Sequence, residues 1–136
     1  MLGLNSGQYE GGTNYTVETI RDNGGEKEIA VIDLNGVIAS FSVDANGHNQ
    51  VLSLKRQFKW ANDDDNVVAI LLRINSPGGE VLASDNIADF VRESEKPVIS
   101  VMGSVAASGG YYVAAPSDWI VAHELTITGS IGVIMS

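Results

Sequence analysis

The stretch 67–74 constrains the fold more than any other, because it is apolar on both faces and stops abruptly at the sequence NSPGG (75–79). A strand that is apolar on both faces is typical of a parallel sheet whose two sides are covered by helices. Parallel neighbours need crossover connections, which are usually helical and nearly always right-handed. The stretch therefore predicts the central strand of an α/β fold.

Strand and helix patterns alternate along the rest of the chain. Apolar runs bounded by turn residues predict further strands at 28–34, 97–102, 119–122 and 131–135. The helical spacing of apolar residues predicts helices at 48–62, at roughly 80–94 and at about 108–115. This order predicts a mostly parallel sheet with βαβ crossovers.

A single domain accounts for most of the chain. Residues 1–26 are rich in Gly, Asn, Thr and Glu without any period, so we predict an N-terminal linker or tail there and one domain over 27–136. The last strand candidate continues to the end of the sequence at Ser136. Because a domain rarely ends inside a buried strand, we expect this domain to be C-terminally truncated.

Composition excludes several classes of function. The net charge of -9 argues against a nucleic-acid-binding protein, which needs a basic surface. The absence of cysteine excludes disulfides, thiolate catalysis and cysteine-type zinc sites. The acidic triplet at 63–65 is interpreted as a solvated loop, and we predict neither a metal nor a cofactor. No apolar stretch is long enough to cross a bilayer, so we expect any membrane anchor to lie outside this chain.

Two glycine-bearing loops, NSPGG (75–79) and GSVAASGG (103–110), follow successive predicted strands. Ligands of open α/β sheets collect at the carboxyl ends of the strands, which is where both loops lie. Each loop opens a helix and presents free backbone N–H groups, and two convergent N–H groups can form an oxyanion hole. Simple tight turns would explain the same glycines. Neither loop matches a phosphate-binding fingerprint or the G-x-S-x-G turn of α/β-hydrolases.

Three motifs carry a resemblance to a known family: INSPGG at 74–79, MGSVAASGGYYVAAP at 102–116 and TGSIGV at 128–133. In this order and spacing they resemble the signal peptide peptidase A family of serine proteases, which has the Clp/crotonase-like fold. INSPGG alone is shared with Clp proteases, so the other two motifs carry the distinction. The resemblance covers about residues 28–136. It implies a nucleophile at Ser108, oxyanion-hole donors at Gly79 and Gly109, and a serine that hydrogen-bonds the general-base lysine at Ser130.

The resemblance also implies a substrate and a location. The family cleaves signal peptides or other membrane-derived peptides through a serine acyl-enzyme. It forms homo-oligomers, and its catalytic domain is anchored on the extracytoplasmic side of the cytoplasmic membrane. We expect an extended peptide substrate to add as a strand along the chain after the second motif glycine. The substrate-binding candidates are therefore Gly78, Glu80 and Val81.

No residue of this chain fits the position of the general base. The family uses a lysine whose pKa is lowered by burial, but none of the lysines of this chain fits that position: Lys27, Lys55, Lys59 and Lys96. We therefore expect the base outside this chain. A Clp-like triad would instead need His123, with Glu124 beside it, whereas His48 is interpreted as a surface residue. Ser104 is the rival nucleophile and is interpreted as structural.

Two other readings stay open at this point. A crotonase-like acyl-CoA enzyme would use the same pair of N–H donors without covalent catalysis, but it does not explain a serine between AA and GG. A non-catalytic homologue or fragment would keep the scaffold without a base. A probe that reacts with activated serines distinguishes these readings.

Overall fold

The computed structural model describes residues 24–41 and 49–134. The elements are, in chain order, β1 (Glu28–Asn35), α1 (Gln50–Asp63), β2 (Val67–Ser76), α2 (Val81–Arg92), β3 (Val98–Ala107), α3 (Gly109–Ala114), β4 (Trp119–Val121) and β5 (Ile127–Gly129). Their alternation confirms the predicted α/β class with βαβ crossovers. Residues 1–23 lie outside the described ranges, so the predicted boundary between tail and domain stays a prediction.

The sheet brings the ends of two long strands together. Every strand pair in the described part of the chain is parallel, in the order β1-β2-β3-β4, and β5 also pairs with β3. β4 pairs with the amino half of β3, where Ile99 lies opposite Trp119. β5 pairs with the carboxyl half, where Ala107 lies opposite Gly129. The ends of β2, β3 and β5 therefore lie side by side at one edge of the fold.

One face of the sheet forms the core. Alternate residues of β1, β2 and β3 are buried there under the helices, among them Ile32, Leu72 and Val98. α1 contributes Leu54 and Phe58 to the same cluster, with other buried side chains supplied by α2 and α3. The helical spacing of these apolar positions is what the sequence predicted, and burying them is the main stabilising contribution to the fold.

The opposite face of the sheet is more open than the sequence predicted. Val31, Leu71 and Val101 are only half-buried there. Towards the carboxyl ends of the strands, Arg73 forms a two-pronged ion pair with Asp33, with both N–O distances at 2.6 Å. This carboxylate raises the pKa of Arg73 above its ordinary value. In the described part of the chain, β2 is therefore buried on one face rather than on both.

The prediction of a last strand at 131–135 is wrong. Residues 131–134 form no strand, residue 135 lies outside the described ranges, and the strand is β5, which ends at Gly129. The backbone explains the difference, because Gly129 has a φ of 78° and Ser130 a φ of 55°. Both angles lie in the left-handed region, so the chain turns away from β3 and the ladder stops. β3 is longer than predicted and reaches Ala107, since β5 supplies a partner for its small residues.

Candidate active site

The two glycine loops meet at Gly78. A Cβ atom on this residue would lie 2.6 Å from the Gly109 nitrogen and 2.8 Å from the Ser108 Cβ. Both distances are shorter than real contacts of a Cβ atom, so only a glycine allows the loops to approach this closely. The φ of 93° at Gly78 is a second reason for a glycine. The predicted nucleophile and both predicted donors therefore lie in one contiguous cluster.

Neighbouring strands and one buried serine bring the loops together. Ser76, the last residue of β2, lies opposite Ala106 of β3, so the loops leave the sheet at the same level. The fully buried Ser76 hydroxyl donates to the Gly36 carbonyl at 2.6 Å and accepts from the Gly78 N–H at 3.1 Å. Sequence reasoning did not single out this serine. The sequence feature that could have identified it is a hydroxyl side chain at the end of an apolar strand, directly before Pro-Gly-Gly.

Gly79 is held in an extended segment beside Ile38. The Ile38 N–H donates to the Gly78 carbonyl at 3.0 Å, and the Glu80 N–H donates to the Ile38 carbonyl at 2.8 Å. A Cβ atom on Gly79 would lie 2.1 Å from the Ile38 oxygen. Because backbone groups alternate along an extended chain, the Gly79 N–H points to the other edge, and no described residue accepts from it.

Ser108 lies between β3 and α3 in a strained conformation. Its φ is 53° and its ψ is -121°, and a non-glycine residue in such a region costs about 1–3 kcal/mol. The Ser108 N–H donates to the Gly129 carbonyl at 2.7 Å, which fixes the backbone. The side chain makes no capping hydrogen bond, and its hydroxyl has no partner in the described ranges. The strained turn between β3 and α3 thus carries a hydroxyl that has no hydrogen-bond partner among the described residues.

Gly109 is the first residue of α3, so its N–H has no acceptor within the helix. A Cβ atom on Gly109 would lie 2.2 Å from the Oγ of Ser84, which is buried and donates to the Glu80 carbonyl at 2.8 Å. Ser84 therefore links the start of α2 to the loop of the predicted nucleophile. This residue was also missed at the sequence level, because its neighbour on α3 is distant along the chain.

The TGS motif lies beside the predicted nucleophile. Thr128 donates its hydroxyl proton to the Ala106 carbonyl at 2.8 Å, and the Ser108 N–H binds the next residue, Gly129. Ser130 follows directly and is exposed. The structure thus brings Ser130 next to Ser108, while its predicted interaction with a lysine stays a prediction.

A cavity of about 540 Å³ opens beside these groups. Ser108, Gly79 and Gly109 line it at one end, and its walls are mainly apolar, formed by Val81, Leu82, Tyr112, Ile131 and Val133. Of the substrate-binding candidates, Val81 lies on this wall with 60% of its surface exposed. Gly78 does not line the cavity, because it is buried against the nucleophile loop.

Glu80 is directed elsewhere. Its carboxylate accepts the Ser40 N–H at 2.8 Å and the Ser40 hydroxyl at 2.6 Å, and it does not border the cavity. These hydrogen bonds hold the pKa of Glu80 below its ordinary value. The Glu80 side chain thus secures the segment that carries Ile38, and its role in substrate binding stays a prediction.

No lysine reaches the cavity, and all the lysines of the chain lie in the described ranges. Lys27 and Lys96 donate to backbone carbonyls of residues 64–65, at the amino ends of the strands and therefore at the opposite edge of the sheet. Lys59 pairs with a carboxylate one turn ahead on α1, and Lys55 is exposed on the same helix. The expectation that the base lies outside the chain is compatible with these positions.

His123 and the rival serine, Ser104, also lie away from the cavity. The exposed His123 accepts the Leu125 N–H on its Nδ1 at 3.1 Å, in a turn that is anchored to Gly103 through a threonine hydroxyl. His48 lies outside the described residues. Ser104 borders a separate depression beside the ion pair of Arg73. Neither His123 nor Ser104 joins the cluster around Ser108.

No group of three or more His, Cys, Asp or Glu residues that could hold a metal ion occurs in residues 24–41 and 49–134. Within the described part of the chain, every helix is too short or too polar to cross a membrane.

Comparisons with known proteins give a consistent result. Residues 91–136 match peptidase family S49. The chain is 39% identical to a putative signal peptide peptidase SppA of Enterococcus faecium over its whole length, and it spans 41% of that protein. It is 41% identical to Protease 4 of Haemophilus influenzae over 78% of its length, and it spans 18% of that protein. Among solved structures, a variant of the 1510-N membrane-bound stomatin-specific protease matches with a TM-score of 0.68 and 26% identity, over 82% of this chain and 51% of that one.

Proposed function

Because the chain belongs to the signal peptide peptidase A family of serine proteases, we propose that it carries the nucleophile and the oxyanion hole of a peptide hydrolase. The observation that carries this proposal is the contact of Gly78 with both Ser108 and Gly109. This contact supports the proposal because the Ser108 hydroxyl and the N–H groups of Gly79 and Gly109 have no hydrogen-bond partner among the described residues. A serine nucleophile needs this arrangement.

The proposed reaction proceeds in two steps. The Ser108 oxygen attacks the carbonyl carbon of the substrate while its proton passes to a general base. The negative charge that develops on the carbonyl oxygen is stabilised by the N–H groups of Gly79 and Gly109. The base returns the proton to the leaving amine, and an acyl-enzyme remains on Ser108. Water then hydrolyses this ester, with the same base removing a proton from the water.

We propose that the base is a lysine outside these 136 residues, since no lysine of the chain lines the cavity. Ser130, next to the predicted nucleophile, would accept or donate a hydrogen bond to orient that lysine. The substrates that we propose are signal peptides or other membrane-derived peptides, bound in extended form beside Val81. The full-length protein would be a homo-oligomer anchored in the cytoplasmic membrane, with this domain on the extracytoplasmic side.

The strained conformation of Ser108 favours covalent catalysis over the crotonase-like alternative. A crotonase-type enzyme would use the two N–H groups to polarise a thioester and would not need a serine between them. Holding a non-glycine residue at a φ of 53° is costly, and such strain is typical of functional positions.

A serine-directed fluorophosphonate probe tests the proposal in the full-length protein. We expect labelling and peptide hydrolysis in the wild type, loss of both in Ser108→Ala, and at least a tenth of the wild-type rate in Ser104→Ala. Ser104 is the matched control, because it is the other serine of the same motif and is exposed, whereas Ser108 is half-buried. Unchanged labelling of Ser108→Ala would refute the assignment, and a folded wild-type protein that is never labelled would indicate a non-catalytic homologue.

A further inference from the structure

The cavity has a polar end that the proposed mechanism does not use. Asp85 follows Val81 by one turn of α2, and Tyr112 follows Gly109 by about one turn of α3. One turn of an α-helix is about 5.4 Å long, so Asp85 lies one turn beyond Val81 on the cavity wall and Tyr112 about one turn beyond the predicted donor Gly109. Both line the cavity, together with Ser108.

Asp85 is oriented by one hydrogen bond from Tyr112. The Tyr112 hydroxyl donates to its Oδ1 at 2.8 Å. Arg92 supports the tyrosine, because its Nη2 donates to the phenol oxygen at 3.4 Å and its guanidinium lies 5.9 Å from the ring centroid. The same guanidinium pairs more closely with Asp89 than with Asp85, from which it is 3.9 Å away. None of the described residues donates to the Oδ2 of Asp85, so this oxygen can accept a further hydrogen bond.

Asp85 is also the only charged residue among the described residues that line the cavity. Leu82, Ile131 and Val133 add apolar surface to the same cavity. Arg92 is not part of the lining, and the cluster of Asp85, Asp89 and Arg92 has one excess negative charge. A substrate side chain in the cavity therefore meets mainly apolar walls and one negative hydrogen-bond acceptor.

We propose that Asp85, oriented by Tyr112, is a specificity-determining residue that selects the substrate side chain seated in this cavity. The favoured side chain belongs to the residue that supplies the attacked carbonyl, and it has an apolar stem with a cationic donor at its tip, as in Lys or Arg. An acidic side chain is disfavoured, because two carboxylates would face each other. This inference rests on the proposed protease function.

Three fluorogenic peptides that differ only in this residue (Lys, Leu or Glu) test the inference on the full-length protein. In the wild type we expect a higher kcat/KM for Lys than for Glu. Asp85→Asn should lower the Lys-to-Glu ratio about tenfold, which corresponds to about 1.4 kcal/mol. The Leu peptide measures any general effect of this variant on the rate, because its side chain carries no charge that residue 85 could attract or repel.

Asp89→Asn is the matched control. It removes the same charge one turn further along α2 and also has Arg92 as a partner, but Asp89 does not line the cavity. We expect its Lys-to-Glu ratio to stay within about twofold of the wild type. Tyr112→Phe, which keeps the ring and removes the hydroxyl, should lower the ratio about threefold, and it provides a second test if Asp85→Asn does not fold.

The outcomes separate this inference from the proposed function. If the Leu peptide is cleaved but the Lys-to-Glu ratio of Asp85→Asn equals that of Asp89→Asn, the specificity role is refuted and the protease function stands. If no peptide is cleaved by the folded wild type and the fluorophosphonate probe does not label Ser108, the proposed function fails and the inference fails with it.

Discussion

Replacing Gly78 by Ala should separate the two loops of the candidate site. The new methyl group would lie 2.6 Å from the Gly109 nitrogen, 2.8 Å from the Ser108 Cβ and 2.9 Å from the Ala107 oxygen. Two of these atoms belong to the backbone, which cannot rotate aside as a long side chain could. The β2–α2 loop or the β3–α3 loop must therefore move.

The expected cost has two parts. A non-glycine residue at a φ of 93° costs about 1–3 kcal/mol. The overlap with backbone atoms adds about 1–3 kcal/mol, the usual cost of overpacking. Gly36 isolates the first part, because its φ is 76° and a Cβ atom there would have no neighbour within 4 Å. We therefore expect Gly78→Ala to be less stable than Gly36→Ala by about 1–3 kcal/mol.

Urea unfolding and probe labelling measure the two consequences. If the dependence of the unfolding free energy on urea concentration is the same in both variants, the difference between their urea midpoints gives the difference in stability. A displacement of about 1 Å at a reacting centre can reduce the rate about 100-fold, so fluorophosphonate labelling should be much slower in Gly78→Ala than in Gly36→Ala. If both variants unfold within about 0.5 kcal/mol of each other and label at the same rate, the close contact of the loops is wrong.

Three further predictions concern other parts of the molecule. His123→Ala should retain peptide hydrolysis within about threefold of the wild-type rate, measured as kcat/KM, whereas a loss of about 100-fold would make this histidine the base. Leu72→Ala should lower the free energy of unfolding by about 2–5 kcal/mol in urea melts, because this side chain is fully buried, and a loss below about 1 kcal/mol would contradict its place in the core. The lowered pKa of Glu80 means that its carboxylate stabilises the fold above the ordinary carboxyl pKa and that this contribution disappears as the pH falls through the folded value. The thermal midpoints of wild type and Glu80→Gln should therefore differ at about pH 7, and this difference should shrink as the pH falls below the ordinary carboxyl pKa; a difference that does not change with pH would exclude the hydrogen bonds of Ser40 as its cause.

The class of fold was predictable from local patterns. The apolar stretch 67–74 and the helical spacing of Leu54 and Phe58 depend only on residues close in sequence, and the structure has β2 and α1 there. The same reasoning failed at 131–135, where the apolar residues form no strand in the described part. A strand needs a partner and an extended backbone, and the left-handed residues Gly129 and Ser130 remove both.

The candidate site was predictable as a set of residues but not as a geometry. Three motifs and their resemblance to a family pointed to Ser108, Gly79 and Gly109, and the tertiary structure brings these residues to one cavity. The sequence could not predict that Ser76 and Ser84 would hold the loops together, since each bridges segments far apart along the chain. Nor could the sequence predict that, of the two neighbouring substrate-binding candidates, Val81 lines the cavity and Glu80 does not.

Local sequence therefore determined which segments form strands and helices, because hydrophobic periodicity and glycine conformations act over a few residues. Tertiary structure alone decided that the carboxylate of Glu80 turns to Ser40 while Asp85 and Tyr112 face the cavity. The direction of a side chain depends on hydrogen-bond partners contributed by other elements. Those partners become neighbours only when β2 and β3 pair and α2 packs beside α3.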